Sequence, residues 1–475
     1  MGPPLGISTK RGAGEDRTGL SGRHVVNQTD LKDSYDYIVV GGGTAGLTIA
    51  DRLSESCKYD VLVIEHGDFY DAANPGSARG TRQYSIRSLP QPGLNNRTTT
   101  SSMGFCVGGS SAVNGMAVMR GTKTDYNIWA ELGNEGSTWD WEGMLPYFKR
   151  RFILFPRTRY SPRTSTLRMT STQLGVKMKT PTSTLPFPVE TIRESVRAPT
   201  FFSFPLLFTN QLLSEIHYEA LKSVPGVEFP QDGHAGSQGV FWYPVSVDPE
   251  TRQRSYSRTG HWDGLNRNNY DLLTASRVNQ ILFEGDVVTG VKFVPEEEEK
   301  RPRGIGPADH LEAAGITLQV DLPGVGANFQ DHPIGPSISF QCVGGGQGLV
   351  AFLDLPIAAP DEFEDIAARY ESLDLADYVA PDTAETVLAG YRAQQEIYAR
   401  EMRGRGLSFM NYIIGGGAGG SPINLHITSR GTIRLNETDP QGDPVIDYRA
   451  LSNPTDVDLM AAYLGFCGAS SPRAI

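Results

Sequence analysis

The sequence predicts a mixed α/β fold with a parallel sheet, and three consecutive segments carry this prediction. Tyr37–Val40 is a short run rich in β-branched residues that ends in Gly41, Gly42 and Gly43, which indicates a strand followed by a tight turn. Residues 44–56 place apolar side chains at helical spacing, and Val61–Ile64 is a second apolar run. A crossover helix between two adjacent strands makes them parallel, so we interpret residues 37–64 as one βαβ unit.

Length and composition indicate a globular protein of two or three domains, or of one large composite domain. The chain has 475 residues, and 43 Lys and Arg against 54 Asp and Glu give a net charge of −11. This acid excess argues against a nucleic-acid surface, which needs clustered basic residues. No apolar run approaches the roughly 18 residues of a membrane-spanning helix, so we expect no membrane span. The four cysteines are scattered, so we expect no metal site, and no secretory signal is readable, which leaves the compartment open.

Further segments have recognisable patterns. Residues 278–293 predict a β-hairpin, and residues 361–404 predict two acidic amphipathic helices. Residues 426–435 alternate like a strand, so we interpret His426 as a sheet histidine. Residues 1–34 are polar and Gly-rich, and we expect a flexible lead-in there. Residues 151–190 are basic and rich in Ser, Thr and Pro, which predicts an unstructured insert.

A dinucleotide-binding motif lies in the βαβ unit. In Gly41-x-Gly43-x-x-Gly46 the first glycine permits the turn, the second lets the backbone approach a pyrophosphate, and the third lets helix and strand pack closely. The start of the helix, at Thr44 and Ala45, then faces the phosphates. Glu65 ends the second strand, where its carboxylate can accept hydrogen bonds from ribose hydroxyls and repels a 2′-phosphate. The motif therefore disfavours NADP but leaves FAD and NAD open.

The sequence from Gly104 to Met116 resembles the glucose–methanol–choline (GMC) oxidoreductases, which are FAD-dependent alcohol oxidases and dehydrogenases. The resemblance continues in the segments 120–129, 139–149, 254–259, 311–333 and 429–447. It implies a Rossmann-like FAD-binding domain with a parallel sheet, made of residues 35–150 and 225–335. It also implies a substrate domain, residues 336–475, with a mainly antiparallel sheet and helices.

The resemblance implies FAD as the cofactor and Asn114–Ala117 as the segment along the flavin. Val113 stands where some relatives carry a histidine for covalent attachment, so we expect dissociable FAD. The backbone of Val278 occupies the position that meets the adenine. The full set of expected cofactor-binding residues is Gly41, Gly43, Thr44, Ala45, Gly46, Glu65, His66, Val107, Gly108, Ser110, Asn114, Gly115, Met116, Ala117 and Val278.

Three departures from the family pattern lead us to expect a truncated and internally disrupted member. Phe105 stands where the family has Arg or Lys. Residues 294–302 replace a segment that carries a strand of the FAD-domain sheet, so the second part of that domain is expected to be incomplete. The family's catalytic histidine and its His or Asn partner lie beyond Ile475, so we expect no catalytic residue in this chain. We interpret His332 as a structural or access-lining residue.

The resemblance implies oxidation of a CH–OH group by hydride transfer to N5 of the flavin, with a small-molecule alcohol as substrate and dioxygen or another compound as electron acceptor. The alternative is a non-catalytic flavin- or nucleotide-binding remnant. An NAD-dependent dehydrogenase is disfavoured, because the segment 104–129 has no role in one.

Overall fold

The structure, a computed structural model, describes eleven stretches of the chain. They are residues 23–25, 28–70, 83–154, 200–202, 217–248, 251, 253–295, 303–336, 338–339, 348–414 and 419–470. Most of the insert predicted for residues 151–190 lies outside the described residues. Within them, no helix is long and apolar enough to cross a membrane.

The strands are short, and most of them pair within small sheets. They are β1 (Arg23–Val25), β2 (Tyr37–Val40), β3 (Val61–Ile64), β4 (Gln83–Arg87), β5 (Thr100–Gly104), β6 (Phe152–Leu154), β7 (Thr200–Phe202), β8 (Gly239–Trp242), β9 (Tyr270–Leu273), β10 (Ser276–Glu284), β11 (Val287–Pro295), β12 (Arg303–Gly306), β13 (Thr317–Asp321), β14 (Ile338–Ser339), β15 (Leu349–Leu353), β16 (Met410–Ile414), β17 (Gly419–Asn424), β18 (Thr432–Arg434) and β19 (Val445–Asp447).

The helices lie in both halves of the chain. They are α1 (Thr44–Ser54), α2 (Lys123–Leu132), α3 (Trp141–Arg151), α4 (Ser257–His261), α5 (Ala308–Ala313), α6 (Leu355–Ala358), α7 (Phe363–Glu371), α8 (Glu385–Met402) and α9 (Pro454–Ser470). The two helices predicted within residues 361–404 are confirmed as α7 and α8.

A four-stranded parallel sheet, in the order β1-β9-β3-β2, forms the first body of the fold. The predicted βαβ unit is confirmed as β2, α1 and β3. Every residue of β3 is buried, because α1 covers one face of the sheet. The hairpin β10–β11, also as predicted, packs against the other face through Val278, Val291 and Phe293. The sheet is therefore the middle layer of three.

The N-terminal segment departs from the expected flexible lead-in. Residues 23–25 form β1, which pairs in parallel with β9, and Val25 is buried beside Leu273. The side chain of Arg23 forms an ion pair with the buried carboxylate of Asp271. This long-range partner orders the segment, and the local composition gave no sign of it.

The opposite edge of the parallel sheet is β2, whose side chains Tyr37, Ile38 and Val40 are exposed. A missing neighbouring strand would leave β2 at the edge of the sheet with its apolar side chains exposed. The strand expected to be missing stays a prediction, because residues 296–302 lie outside the described part of the chain.

The second body is an antiparallel sheet, in the order β14-β17-β16-β15-β8, with helices on one face. Alternate residues of β15, such as Leu349 and Leu353, form one core with α7, α8 and α9. The intervening residues Val350 and Phe352 face the other way and pack near Met119, which belongs to the first half of the chain. The predicted fold class, a parallel-sheet domain joined to a mainly antiparallel one, is confirmed.

A buried ionic cluster fixes α1 to the rest of the first body. The carboxylate of Asp51 is 1 % exposed and contacts Nδ1 of His261 at 2.9 Å and Nη1 of Arg267 at 2.7 Å. It also pairs with Arg52. Burial alone would raise the pKa of Asp51, but the hydrogen bond from His261 and the two arginines outweigh it, and the pKa lies below the ordinary value of 3.8.

We expect Asp51→Asn to lower the free energy of unfolding by about 3–5 kcal/mol, because removal of one partner leaves the other buried charges uncompensated. The contribution of the carboxylate is complete above pH 3.8 and is lost as the pH falls through the lower pKa of the folded state. Urea denaturation followed by circular dichroism, repeated along a pH series, measures both effects.

The matched control is Glu55→Gln, at the end of the same helix. Glu55 pairs with Arg52 at 3.1 Å, but its side chain is 55 % exposed, so we expect a change within about 1 kcal/mol. Equal losses in the two variants would show that the cluster around Asp51 does not stabilise the fold.

Candidate functional site

The turn between β2 and α1, together with the first three residues of α1, contains the five motif residues predicted at positions 41–46. Gly41 has a φ of +97°, which an L side chain rarely adopts. A Cβ atom on Gly46 would lie 1.9 Å from the carbonyl oxygen of Gly41, so only glycine fits there. No side chain caps α1 at its first residues, Thr44 and Ala45, and its N–H groups are open to an anion such as a phosphate.

A second glycine turn, at residues 104–112, lies directly against the first. The N–H of Gly108 donates to the carbonyl of Gly42 at 2.8 Å. A Cβ atom on Gly109, whose φ is +51°, would lie 2.8 Å from the Cα atom of Gly43. The structure thus joins two motifs that are about sixty residues apart in the sequence. Val107 is buried beneath this contact, and Ser110 Oγ accepts from the N–H of Gly104 at 3.2 Å.

Glu65 lies at the end of β3 and binds the first turn. Its Oε2 accepts from the N–H of Gly42 and its Oε1 from the N–H of Gly67, both at 2.7 Å. Burial raises the pKa of Glu65, although the two N–H donors oppose this shift. Each carboxylate oxygen keeps a second lone pair, so the bond to ribose that we expect is compatible with this geometry.

His66 and Val278 flank Glu65. Nδ1 of His66 lies 3.0 Å from the hydroxyl of Tyr84, and its ring meets Phe105 edge-on, with centroids 4.7 Å apart. Phe105, the departure from the family pattern, is thus held in an aromatic cluster. Val278 lies near the start of β10, where the N–H of residue 276 donates to the carbonyl of residue 65 at 3.1 Å.

The segment Asn114–Ala117 continues from the second turn toward the antiparallel sheet. Oδ1 of Asn114 accepts from the N–H of Met116 at 3.1 Å, and Met116 has a φ of +64°. A Cβ atom on Gly115 would meet nothing within 4 Å, so there is open space beside this backbone. Ala117 pairs with Val245 in a β-bridge.

The predicted cofactor-binding residues therefore follow one continuous path. It runs from Val278 and Glu65, through the two glycine turns, to the open backbone at Gly115. Gly42, Gly43, Gly108 and Gly109 lie where the two turns meet, so backbone contacts backbone there. The binding roles of the individual residues stay predictions.

The segment Arg254–Arg258 also belongs to this site, although the sequence analysis gave it no role. Ser257 Oγ lies 2.8 Å from Ser111 Oγ and donates to the carbonyl of Gly108 at 3.0 Å. The ring of Tyr256 lies where a Cβ atom on Gly108 would point, 2.8 Å away. The signals in the sequence were the family resemblance of residues 254–259 and the repeated hydroxyl side chains of this segment.

His426 is corrected, because it lies between β17 and β18 and not in a strand. Its Nε2 is 3.1 Å from Oδ1 of Asp125, and its ring packs near Tyr398. It lines a cavity of about 320 Å³ between α2 and α8. The interpretation of His332 as structural or access-lining stays a prediction; the residue lies on an exposed stretch after β13. No group of metal-ligating side chains occurs in the described ranges.

Comparisons with known proteins agree with the resemblance. A model of the family described as GMC oxidoreductase matches residues 35–195. The dehydrogenase xptC of Emericella nidulans is 31 % identical over 93 % of this chain and 78 % of its own. This chain belongs to the GMC oxidoreductase family.

Solved structures of GMC-type flavoenzymes have the same fold. An FAD-dependent oxidoreductase from Chaetomium thermophilum is 28 % identical, with a TM-score of 0.77 over 92 % of this chain and 82 % of its own. A fungal aryl-alcohol oxidase is 29 % identical, with a TM-score of 0.74 over 93 % and 83 %. Among the relatives found by sequence, an oxygen-dependent choline dehydrogenase of Staphylococcus xylosus is 32 % identical over 64 % of this chain and 53 % of its own.

We expect Gly46→Ala to destabilise the protein by at least about 1–3 kcal/mol, because the added methyl group overlaps the carbonyl of Gly41 and forces α1 away from β2. Thermal unfolding measures the loss. Gly390→Ala is the control: Gly390 lies in α8, and a Cβ atom added there would meet nothing within 4 Å. That variant should be as stable as the unsubstituted protein or up to about 1 kcal/mol more stable. An unchanged stability of the Gly46→Ala variant in thermal unfolding would contradict the close packing of this turn.

Proposed function

We propose that this GMC-family chain binds FAD in an extended conformation and oxidises the CH–OH group of a small alcohol. The observation that carries the proposal is the direct contact of the two glycine turns, with the N–H of Gly108 on the carbonyl of Gly42. Through that contact, the proposed phosphate site at the start of α1 lies next to the proposed site for the flat ring after the second turn.

Different residues of the chain bind different parts of FAD. The open N–H groups at the start of α1 attract the pyrophosphate, and the carboxylate of Glu65 accepts hydrogen bonds from the ribose. The backbone of 114–117 offers the open space beside Gly115 to the edge of the isoalloxazine ring. When bound, FAD supplies the acceptor for the hydride of the alcohol's carbinol carbon.

The alcohol loses a hydride from carbon and a proton from oxygen, and becomes a carbonyl compound. Several histidines of the described part contact other groups: His66 contacts Tyr84, His261 contacts Asp51, His310 contacts Asp382 and His426 contacts Asp125. None of these four is assigned as the proton acceptor. The absence of a catalytic residue from this chain stays a prediction.

The apolar face of the antiparallel sheet supports an alcohol with an aromatic or aliphatic body. Phe241, Phe352, Tyr243 and Ile413 lie on this face and pack near Met119, just beyond the flavin-facing segment. The names of two relatives, an aryl-alcohol oxidase and a choline dehydrogenase, agree with alcohol oxidation. Dioxygen is the acceptor that we propose.

The visible spectrum of the purified protein, reconstituted with FAD, tests the proposal. We expect a flavin band that an aryl or aliphatic alcohol bleaches under anaerobic conditions, and air should then restore the band and yield hydrogen peroxide. A bound flavin that no alcohol bleaches would favour the non-catalytic remnant. A protein that binds no flavin would contradict the proposal.

Glu65→Gln tests the nucleotide end alone. We expect it to weaken FAD about tenfold or more, since a charge-assisted hydrogen bond contributes about 1.5–3 kcal/mol. Quenching of FAD fluorescence on titration gives the dissociation constant, and Glu55→Gln, at the end of α1, should leave it unchanged. Equal affinity of the Glu65→Gln variant would remove the ribose contact from the proposal.

A further inference from the structure

Arg254 is a buried cation next to the flavin-facing segment. Only 5 % of the residue is exposed, and its Nη1 donates to Oδ1 of Asn114 at 2.8 Å and to the carbonyl of Ser111 at 3.2 Å. Its backbone pairs with Val247 in a β-bridge, which holds the residue in place. In the described ranges, no carboxylate forms an ion pair with this guanidinium.

Burial of the Arg254 charge without a negatively charged partner is energetically unfavourable. A buried charge without a counterion loses its hydration and regains only part of it from two neutral acceptors. Burial accordingly lowers the pKa of Arg254, although a guanidinium remains protonated at any physiological pH. The neighbouring Arg258 differs, since Oδ1 of Asp263 lies 3.1 Å from its Nε. The charge of Arg254 is therefore available to a negative group that enters the cleft.

Asn114 connects Arg254 to the backbone beside the open space. Its Oδ1 accepts from both Arg254 Nη1 and the N–H of Met116. Met116 has a positive φ, a conformation that costs about 1 kcal/mol or more in a residue with a side chain and persists only where surrounding contacts hold it. The guanidinium thus fixes the carboxamide, and the carboxamide fixes the turn at Gly115.

We propose that Arg254 is a positioning residue of the flavin site, which fixes the backbone of 115–117 through Asn114 and raises the reduction potential of bound FAD with its uncompensated charge. The inference rests on the proposed function. A positive charge stabilises the oxidation state of the flavin that carries more negative charge, and that is the reduced state. The geometric and the electrostatic parts separate, because a lysine keeps the charge but not the length and shape of the guanidinium that place Nη1 on both acceptors.

The test compares Arg254→Met and Arg254→Lys in the FAD-reconstituted protein. Fluorescence titration gives the affinity, and reduction in the presence of reference dyes gives the midpoint potential. We expect Arg254→Met to weaken FAD about tenfold and to favour the oxidised state at least tenfold, which equals about 30 mV for a two-electron couple. We expect Arg254→Lys to weaken FAD as well, but to keep the potential of the unsubstituted protein.

Two further variants complete the design. Asn114→Asp keeps the shape and both accepted bonds but neutralises Arg254, so its potential should fall even if Arg254→Met does not fold. Arg369→Met removes an exposed charge that pairs with Asp458 on the second body, and it should change neither quantity. Circular dichroism of each apoprotein reports the fold.

The outcomes distinguish this inference from the proposed function. Failure of the unsubstituted protein to bind FAD overturns both. Normal FAD binding with an unchanged potential in both Arg254→Met and Asn114→Asp overturns the electrostatic role of Arg254 alone. Normal affinity in Arg254→Met and Arg254→Lys overturns its positioning role.

Discussion

The site depends on a contact between two stretches of backbone with no side chain between them. Gly43 and Gly109 approach so closely that a methyl group on the second would overlap the first. The hydrogen bond from Gly108 to Gly42 then aligns the two turns. Because backbone meets backbone, the spacing between the two turns is set by chain geometry and not by adaptable side chains.

Support for this contact comes from distant parts of the chain. The segment 254–258 contacts the second turn at Gly108 through the hydroxyl group of Ser257 and the ring of Tyr256. Glu65 holds the first turn from the end of the neighbouring strand. Phe105 replaces a charged residue of the family pattern, and its ring packs against those of His66 and Tyr84.

Elements with local patterns could be predicted from the sequence. The βαβ unit, the hairpin β10–β11 and the helices α7 and α8 each carry their periodicity within a few residues, so their formation followed from the pattern. The same holds for the turn at Gly41 and Gly46, where the backbone conformation demands glycine. The path of candidate cofactor residues followed from the family resemblance more than from any one motif.

The elements that could not be predicted depend on partners far away in the sequence. β1 has only three residues, and its order comes from pairing with β9. Of the strand predicted over residues 426–435, residues 432–434 form β18, but the N–H groups of Thr428 and Ser429 donate to the buried carboxylate of Asp456 in the loop before it. The role of Arg254 was hidden for the same reason, since its acceptor lies in a loop that is 140 residues away.

The strand order β1-β9-β3-β2 has a consequence for biosynthesis. β3 gains its inner neighbour, β9, only after residues 270–273 have been translated, about 200 residues later. At about 5–20 residues per second, the nascent chain spends roughly 10–40 s with one side of β3 unpaired. β1, which is translated before β3, waits longer still for β9. The sheet is thus assembled late and from distant pieces, and until then the unpaired strands of the emerging polypeptide are exposed to pairing with other chains.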